Sequence, residues 1–390
     1  MHVGLFLDAF FPVIDGVVKI VDAYASRLAG KCDVTVFTPA VKGTAPDYDQ
    51  RFPYEVVRCK SLMFKNDDYP RGYALFDPAF KARIRAAGLD IIHIHSAFLT
   101  SQCARQLSKK QDIPMVGTIH SDFRPDVIQY LGRLLGEQYV RLMMSVYNAC
   151  DECWTVNDAV GRMFCREYGL KRPYRTMPYS TDHTPVRDVA AARKAVDAAY
   201  GLQDDDFVLA HVGRQDLQKR EDFILRSLAV LKDLQTPFKM LFVGDGNKQG
   251  FLKNLTAELG LEDHVTFCGA VADPQMLMNV YARTDLLLFP SVSDTYGLVK
   301  IEAACQKTPT LYCEGTMATD GITRDVNGFM AANDEKAFAA RICELYHDRR
   351  LLEDVGAGAC RDLYRTWDNL VDEVYENYKI IIENHKFVKF

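Results

Sequence analysis

Phe207-Val-Leu-Ala-His-Val-Gly-Arg-Gln-Asp-Leu-Gln-Lys219 reads as a short buried strand that leaves through a glycine into a charged loop, with a helix beginning near Arg220. Gly213 permits a tight exit, and Arg214 and Lys219 then share one loop above a helix N-terminus. A planar guanidinium fork and a point-like ammonium in that position suit a pyrophosphate. A solvated charged loop accounts for the same residues. Further along, Val243-Gly-Asp-Gly246 repeats the strand–glycine–helix order, bringing Gly244 to a second strand end. A dinucleotide fingerprint needs a third glycine at position 249; Gln249 stands there, so a nicotinamide-binding motif is absent.

The third repeat is Phe289-Pro-Ser-Val-Ser-Asp-Thr-Tyr-Gly-Leu-Val-Lys-Ile-Glu302-Ala-Ala. A buried strand ends at Pro290, a polar loop carries Asp294, and a helix is expected to start around Gly297 with Glu302 on it. First-turn amides of a helix have no partner within it. Those near Thr295, Tyr296, Gly297 and Leu298 can receive a β-phosphate, with Asp294 accepting from sugar hydroxyls and Glu302 from ribose hydroxyls. Asp294 also suits a plain N-cap, and Glu302 a surface helix position. The coincidence of loop, glycine and second carboxylate favours ligand binding.

The same alternation runs through the chain. Strands are expected at Val3–Leu7, Val34–Phe37, Asp90–His93, Met115–Thr118 and Cys153–Val156, with helices over Val17–Leu28, Thr100–Lys110, Pro125–Ala149 and Asp158–Tyr168. The segment Met177–Val186, with two prolines, reads as a linker. Beyond it, strands recur at Phe207–Val212, Lys239–Val243, Val265–Cys268, Leu286–Phe289 and Thr310–Tyr312. Alternation of this kind implies parallel, doubly wound sheets. The 390 residues exceed one ordinary core. Two α/β domains are expected, 1–183 and 184–369, facing across a cleft, with a helix of about 370–390 packing back on the first.

Composition narrows the function. The chain is 48% hydrophobic and 25% charged, with a net charge of −5, which argues against a general nucleic-acid binder. Residues 1–185 hold 23 Lys and Arg against 20 Asp and Glu, and the remainder 24 against 32. The opening Met1–Asp8 has no basic leader and reads as a core strand rather than a signal peptide. No apolar run approaches the roughly 18 residues of a membrane span. Eleven irregularly spaced cysteines suggest reduced thiols in a cytoplasm. Cys150 and Cys153 form a lone CxxC, read as buried core rather than a metal or redox site.

Arg214-x4-Lys219, followed some eighty residues later by an acidic residue, seven others and Glu302, resembles the donor site of retaining glycosyltransferases of family four, with the GT-B fold. Pro12-Val-Ile-Asp-Gly-Val17, Asp90-Ile-Ile-His-Ile-His-Ser96, Gly117-Thr-Ile-His-Ser-Asp122 and Thr366-Trp-Asp-Asn-Leu370 match further family landmarks in order, so the likeness covers nearly the whole chain. It implies that Arg214 and Lys219 hold the diphosphate, Glu302 the ribose and Asp294 the transferred sugar. Gly16 would let the backbone approach the phosphates, and His120 would sit beside the reacting sugar. Two departures stand out: Asp294 replaces the usual glutamate, and Asp15 precedes Gly16 where the family has a double glycine. The resemblance implies no cofactor and no essential metal, the nucleotide sugar being a co-substrate.

On the acceptor side, Phe10, Phe11, Asp15, His95 and Asp122 are candidates. His93 and His95 alternate on one strand and face the same side, with a structural or sugar-contacting role preferred over metal. Basic and apolar residues mix in Arg58-Cys-Lys-Ser-Leu-Met-Phe-Lys65 and in Arg133–Met144, as on membrane-facing surfaces. For Leu134, Leu135, Leu142, Met143 and Met144 core packing is the preferred reading. The stretches Asp294–Glu302 and Ile119–Phe123 look most like the branch that glycosylates diacylglycerol-type lipids. The expected activity is retaining hexosyl transfer, UDP-hexose favoured, to a lipid hydroxyl, with peripheral contact on the anionic inner face of the cell membrane. A polysaccharide or small-molecule acceptor, or a nucleotide-sugar epimerase of the same fold, is the alternative.

Overall fold

The computed structural model describes residues 1–62 and 69–387. They form two compact units, one of Met1–Tyr179 with the chain from Trp367 onward, the other Ser180–Thr366. These divisions fall a few residues before those read from the sequence. Thr181 explains the first, since its amide donates to the Arg365 carbonyl at 3.0 Å and so ties the linker to the second unit.

In the first unit, β1 (His2–Phe6), α1 (Gly16–Leu28), β2 (Asp33–Pro39) and β3 (Glu55–Cys59) are followed by a two-stranded hairpin, β4 (Ser61–Leu62) with β5 (Arg71–Gly72). Then come α2 (Pro78–Ala86), β6 (Ile91–Ile94), α3 (Leu99–Gln111), β7 (Met115–Ile119), α4 (Arg124–Leu131), α5 (Arg133–Tyr147), β8 (Glu152–Thr155), α6 (Asp158–Met163) and β9 (Tyr174–Thr176). The main sheet has the order β3-β2-β1-β6-β7-β8-β9, and its pairings are parallel. Helices cover both faces, so β1, β6 and β7 are buried almost end to end and read as apolar runs rather than alternating ones. Asp15, Asp77 and Asn157 cap α1, α2 and α6 with their side chains.

The second unit runs α7 (Val189–Tyr200), β10 (Val208–Val212), α8 (Glu221–Asp233), β11 (Lys239–Val243), α9 (Gln249–Glu258), β12 (Val265–Gly269), α10 (Pro274–Arg283), β13 (Leu286–Phe289), α11 (Val299–Cys305), β14 (Thr310–Cys313), β15 (Phe329–Ala331), α12 (Glu335–His347) and α13 (Arg349–Leu363). Its sheet is parallel in the order β12-β11-β10-β13-β14-β15. Leu209, Phe242, Leu288 and Leu311 face one apolar layer; Val208, Ala210, Leu241 and Leu287 face the other. The strand order reverses between β10 and β13, and open α/β sheets bind ligands at such a switch point, beyond the carboxyl ends of the strands.

Several expected boundaries move. The single helix foreseen over Pro125–Ala149 breaks at Gly132, whose φ of +74° ends α4 and starts α5. At Asp158–Tyr168, α6 gives way to a π-helical turn over Phe164–Tyr168 and stops at Gly169. The C-terminal helix α14 (Trp367–Phe387) begins near the expected place and belongs to the first unit, where Arg27 pairs with Asp368 at 2.6 Å. The last three residues of the expected helix lie outside the described residues. Cys150 and Cys153 are fully buried free thiols donating to the Val146 and Tyr147 carbonyls, as a core reading requires.

Candidate functional site

The loop leaving β10 is sewn to the loop leaving β11. The amides of Gly213 and Gln215 donate to the carbonyls of Val243 and Asp245 at 2.9 and 3.0 Å, and the Gln215 side chain donates to the Gly244 carbonyl at 2.8 Å. Gly244, at φ +128°, would place a Cβ 1.9 Å from the Gly213 carbonyl oxygen, and one on Gly246 would lie 2.1 Å from that of Gln215. The glycine pair of Val243–Gly246 is therefore demanded by loop-to-loop approach. Gly244→Ala is expected to lose about 2–4 kcal/mol of stability, through strain and steric overlap together. Urea unfolding measures it, and an unchanged midpoint would contradict the packing role.

Lys219 owes its placement to an unusual turn. Leu217 and Arg220 both adopt left-handed φ near +64° and +63°, an uncommon state for side chains of this size. Arg220 is pinned there, donating to Asn333 Oδ1 at 2.6 Å and to the Pro290 carbonyl at 3.3 Å, with its guanidinium 4.2 Å from the Phe223 ring centre. The Lys219 ammonium then meets Asp294 Oδ1 at 2.6 Å, joining the β10 and β13 loops above the switch point. Arg214 lies on the same loop, 72% exposed, its Nε 2.8 Å from Asp216. Beneath this level, His211 is buried, its Nδ1 3.0 Å from the Leu288 carbonyl, and burial pushes its pKa down to about 4.

Asp294 donates its amide to Ser291 Oγ at 3.3 Å, and its Oδ2 is buried without a hydrogen-bond partner among the described residues. Tyr296 is buried beneath the Lys300 ammonium, which lies 3.8 Å from its ring centre and donates to the Ala318 carbonyl at 2.9 Å. Burial lowers the Lys300 pKa to about 7. Gly297 has φ +80°, and a Cβ there would strike the Phe289 ring at 2.6 Å. That left-handed glycine corrects the expected helix start: α11 begins at Val299, after Leu298, and spans seven residues. Thr295 completes the loop and is partly buried.

Glu302 is not a plain surface residue. Tyr281, fully buried on α10, donates its hydroxyl to Glu302 Oε2 at 2.8 Å, while His183 Nε2 lies 3.9 Å from Oε1. Tyr281 escaped the sequence reading, since nothing local links it to a carboxylate 21 residues on. Losing a hydrogen bond to a charged group costs about 1.5–3 kcal/mol. For Tyr281→Phe the lower end applies, because Glu302 stays within reach of His183 and solvent. If Glu302 holds the donor's ribose, steady-state kinetics should show donor KM raised about tenfold with kcat within about twofold. A fall confined to kcat would refute a positioning role.

In the first unit, His93 and His95 share one side of β6, their rings 4.0 Å apart. His93 bonds Tyr378 and Thr118, each at 2.6 Å. His95 Nδ1 is 3.1 Å from His120 Nε2, and His120 Nδ1 is 2.6 Å from the Tyr179 hydroxyl. Burial holds His93 and His95 well below the ordinary imidazole value and brings His120 down to about 3, so all three are neutral at pH 7. Both ring nitrogens of His120 are thus engaged by the protein, and a sugar contact there requires one of them to be released.

Burial corrects two acceptor-side expectations, Phe10 and His95, and the other candidates are engaged within the fold. Phe10 is fully buried against Phe52 and Tyr54, and Phe11 stacks on Phe52 at 5.9 Å. His95 is buried. Asp15 spends its carboxylate capping α1 through the Val18 amide at 2.7 Å, and Asp122 accepts from the Tyr168 hydroxyl and the Arg124 amide. Met63, Phe64 and Lys65 of the basic-apolar segment lie outside the described residues. Gly16, by contrast, has open space: a Cβ there meets nothing within 4 Å among them. No group of three His, Cys, Asp or Glu among the described residues is placed to hold a metal ion.

A family model described as Glycosyltransferase Family 4 matches residues 14–184, and one described as Glycosyl transferases group 1 matches residues 192–361. The chain belongs to glycosyltransferase family four. It is an enzyme of that family with the GT-B fold, two Rossmann-like domains each built on a parallel sheet. The D-inositol 3-phosphate glycosyltransferase of Nocardia farcinica is 28% identical over 375 residues, covering 89% of this chain and 80% of that one. The alpha-monoglucosyldiacylglycerol synthase of Streptococcus pneumoniae is 23% identical over 318 residues, covering 80% and 70%. Among solved structures, Anabaena HepE in complex with UDP superposes with a TM-score of 0.77 at 18% identity, over 97% of this chain and 100% of that one.

Proposed function

We propose that this family-four glycosyltransferase moves a hexose from a nucleoside-diphosphate sugar, UDP-hexose favoured, to a hydroxyl of a membrane lipid such as diacylglycerol or a glycolipid, with retention of anomeric configuration. The observation that carries the donor half is the meeting of Lys219 and Asp294 across 75 residues of sequence, with Arg214 on the same loop. Cations at that level neutralise a departing diphosphate, and electrostatic stabilisation of the leaving group is the main catalytic contribution. Glu302 receives ribose hydroxyls and Asp294 those of the sugar. No carboxylate pair of the glycosidase kind is assigned. Attack comes from the face the diphosphate leaves, with a phosphate oxygen taking the acceptor proton. No metal or other cofactor takes part in this scheme.

The lipid acceptor is supported by the surface of the first unit. Leu134 and Leu135 are 79% and 65% exposed, with Tyr130, Leu131 and Leu142 also exposed around them, correcting the core packing expected of the three α5 leucines. Met143 and Met144 do pack inside. Arg133 and Arg141 flank the exposed leucines. Large apolar groups beside cations suit an interface with anionic lipid. No helix among the described residues is long and apolar enough to cross a membrane. The contact in this reading is peripheral, on the cytoplasmic face. A small-molecule acceptor is the second reading, favoured by the inositol phosphate glycosyltransferase relative.

Thermal-shift screening against UDP-, GDP- and ADP-sugars, followed by mass spectrometry of products from mixed lipid and sugar acceptors, tests the whole reading. Co-sedimentation with anionic vesicles tests the lipid half. Pelleting at low salt that Leu134→Ser/Leu135→Ser abolishes is the expected result; absence of wild-type pelleting would remove the lipid acceptor.

A further inference from the structure

We infer that Asp294 makes the donor site discriminate against the bare nucleoside diphosphate left after transfer, by exchanging partners with Lys219. This rests on the donor reading above and adds a direction to it. Each cation assigned to the diphosphate already holds an aspartate: Lys219 lies 2.6 Å from Asp294 and Arg214 lies 2.8 Å from Asp216. The two pairs are not alike. Arg214 projects into solvent, whereas the Lys219 and Asp294 side chains are only 27% and 20% exposed, where salt screens less. Asp294 also keeps one oxygen, Oδ2, buried and without a partner among the described residues.

An ionised carboxylate only accepts hydrogen bonds. It welcomes an ammonium or sugar hydroxyls and repels phosphate. With the intact donor, phosphate oxygens draw on Lys219 while sugar hydroxyls satisfy Asp294, so both members of the pair exchange one partner for another. In transfer, the bond from the anomeric carbon to the β-phosphate oxygen breaks with its electron pair left on that oxygen. The anomeric carbon bonds the acceptor oxygen, whose proton passes through a phosphate oxygen to solvent. The nucleotide thereby gains a negative charge at the moment Asp294 loses its hydroxyls. The carboxylate then competes for Lys219 and repels the product.

Isothermal titration of the whole chain with UDP and with UDP-glucose tests this; GDP and ADP with their glucose esters are run alongside, and the tightest-binding nucleotide is compared. Asp294→Asn is expected to bind the bare diphosphate about 5–10-fold tighter than wild type, and the sugar ester no tighter. Asp294→Ser should behave likewise, which covers failure of either variant to fold. Asp294→Glu, restoring the charge, should restore discrimination. Bare diphosphate affinity equal to or weaker than wild type in both neutral variants would overturn the inference. Lys219→Ala separates the two levels: if it leaves diphosphate affinity intact for every nucleotide, the donor reading itself fails.

Discussion

Replacing Lys219 by alanine is expected to lower kcat/KM by about 10²–10³-fold, read from the rate of nucleoside diphosphate release at saturating acceptor. The magnitude is that of deleting one preorganised charge stabiliser from a transition state, about 2.7–4 kcal/mol. On the proposed donor reading the ammonium faces the charge that a leaving diphosphate accumulates, and its removal leaves the mostly buried Asp294 carboxylate unpaired beside the phosphates. Both effects weaken donor binding and transfer, so KM rises while kcat falls. Arg214→Ala should be milder, near tenfold, because that side chain is largely in solvent and already shared with Asp216. Near-wild-type turnover of Lys219→Ala would remove the diphosphate from this loop.

The strand–glycine–loop order around Gly213, Gly244 and Gly297 was legible because it is local: an apolar run, a residue that tolerates close approach, then charge. Arg214, Lys219, Asp294 and Glu302 became candidates, and the second sheet readable, from three such units, while the first sheet was readable from its own alternation of apolar runs and helical segments. Illegible were the residues that hold them in place. Arg220 reaches Asn333 and Pro290, and Tyr281 reaches Glu302, through contacts that no periodicity announces. Short edge strands such as β9 and β15, three residues each, carry too little pattern to register. The acceptor-side candidates were hard to read for a different reason. An aromatic near a loop reads the same whether it faces solvent or, like Phe10, fills a cluster with Phe52 and Tyr54. Asp15 and Asp122 show the same ambiguity between a ligand carboxylate and one occupied by backbone amides.

The first unit is expected to lose roughly 4–6 kcal/mol of stability between pH 6.5 and 5, well before the second. His93, His95 and His120 are buried and neutral, their pKa values pushed down by desolvation. The unfolded chain titrates near 6.5, so below that pH it binds protons that the fold refuses, and stability falls as pH falls. Each such histidine contributes about 1.4 kcal/mol per pH unit until its own folded pKa is reached, near 3 for His120. Because the unfolded chain is only half protonated at pH 6.5, three of them together lose about 5 kcal/mol down to pH 5. Buried Asp8, whose pKa burial raises, opposes this by favouring the protonated fold in acid. In the second unit His211 acts in the same sense alone, while Glu221 and Asp285, both raised by burial, act against it. The chain supplies its own probe: its two tryptophans, Trp154 and Trp367, are both buried in the first unit, and Trp154 packs 4.9 Å from His93. Urea unfolding followed by tryptophan fluorescence should show a midpoint about 2 M lower at pH 5 than at pH 7. Equal midpoints would mean that the histidine column takes up protons without unfolding, and that its burial is not what keeps it neutral.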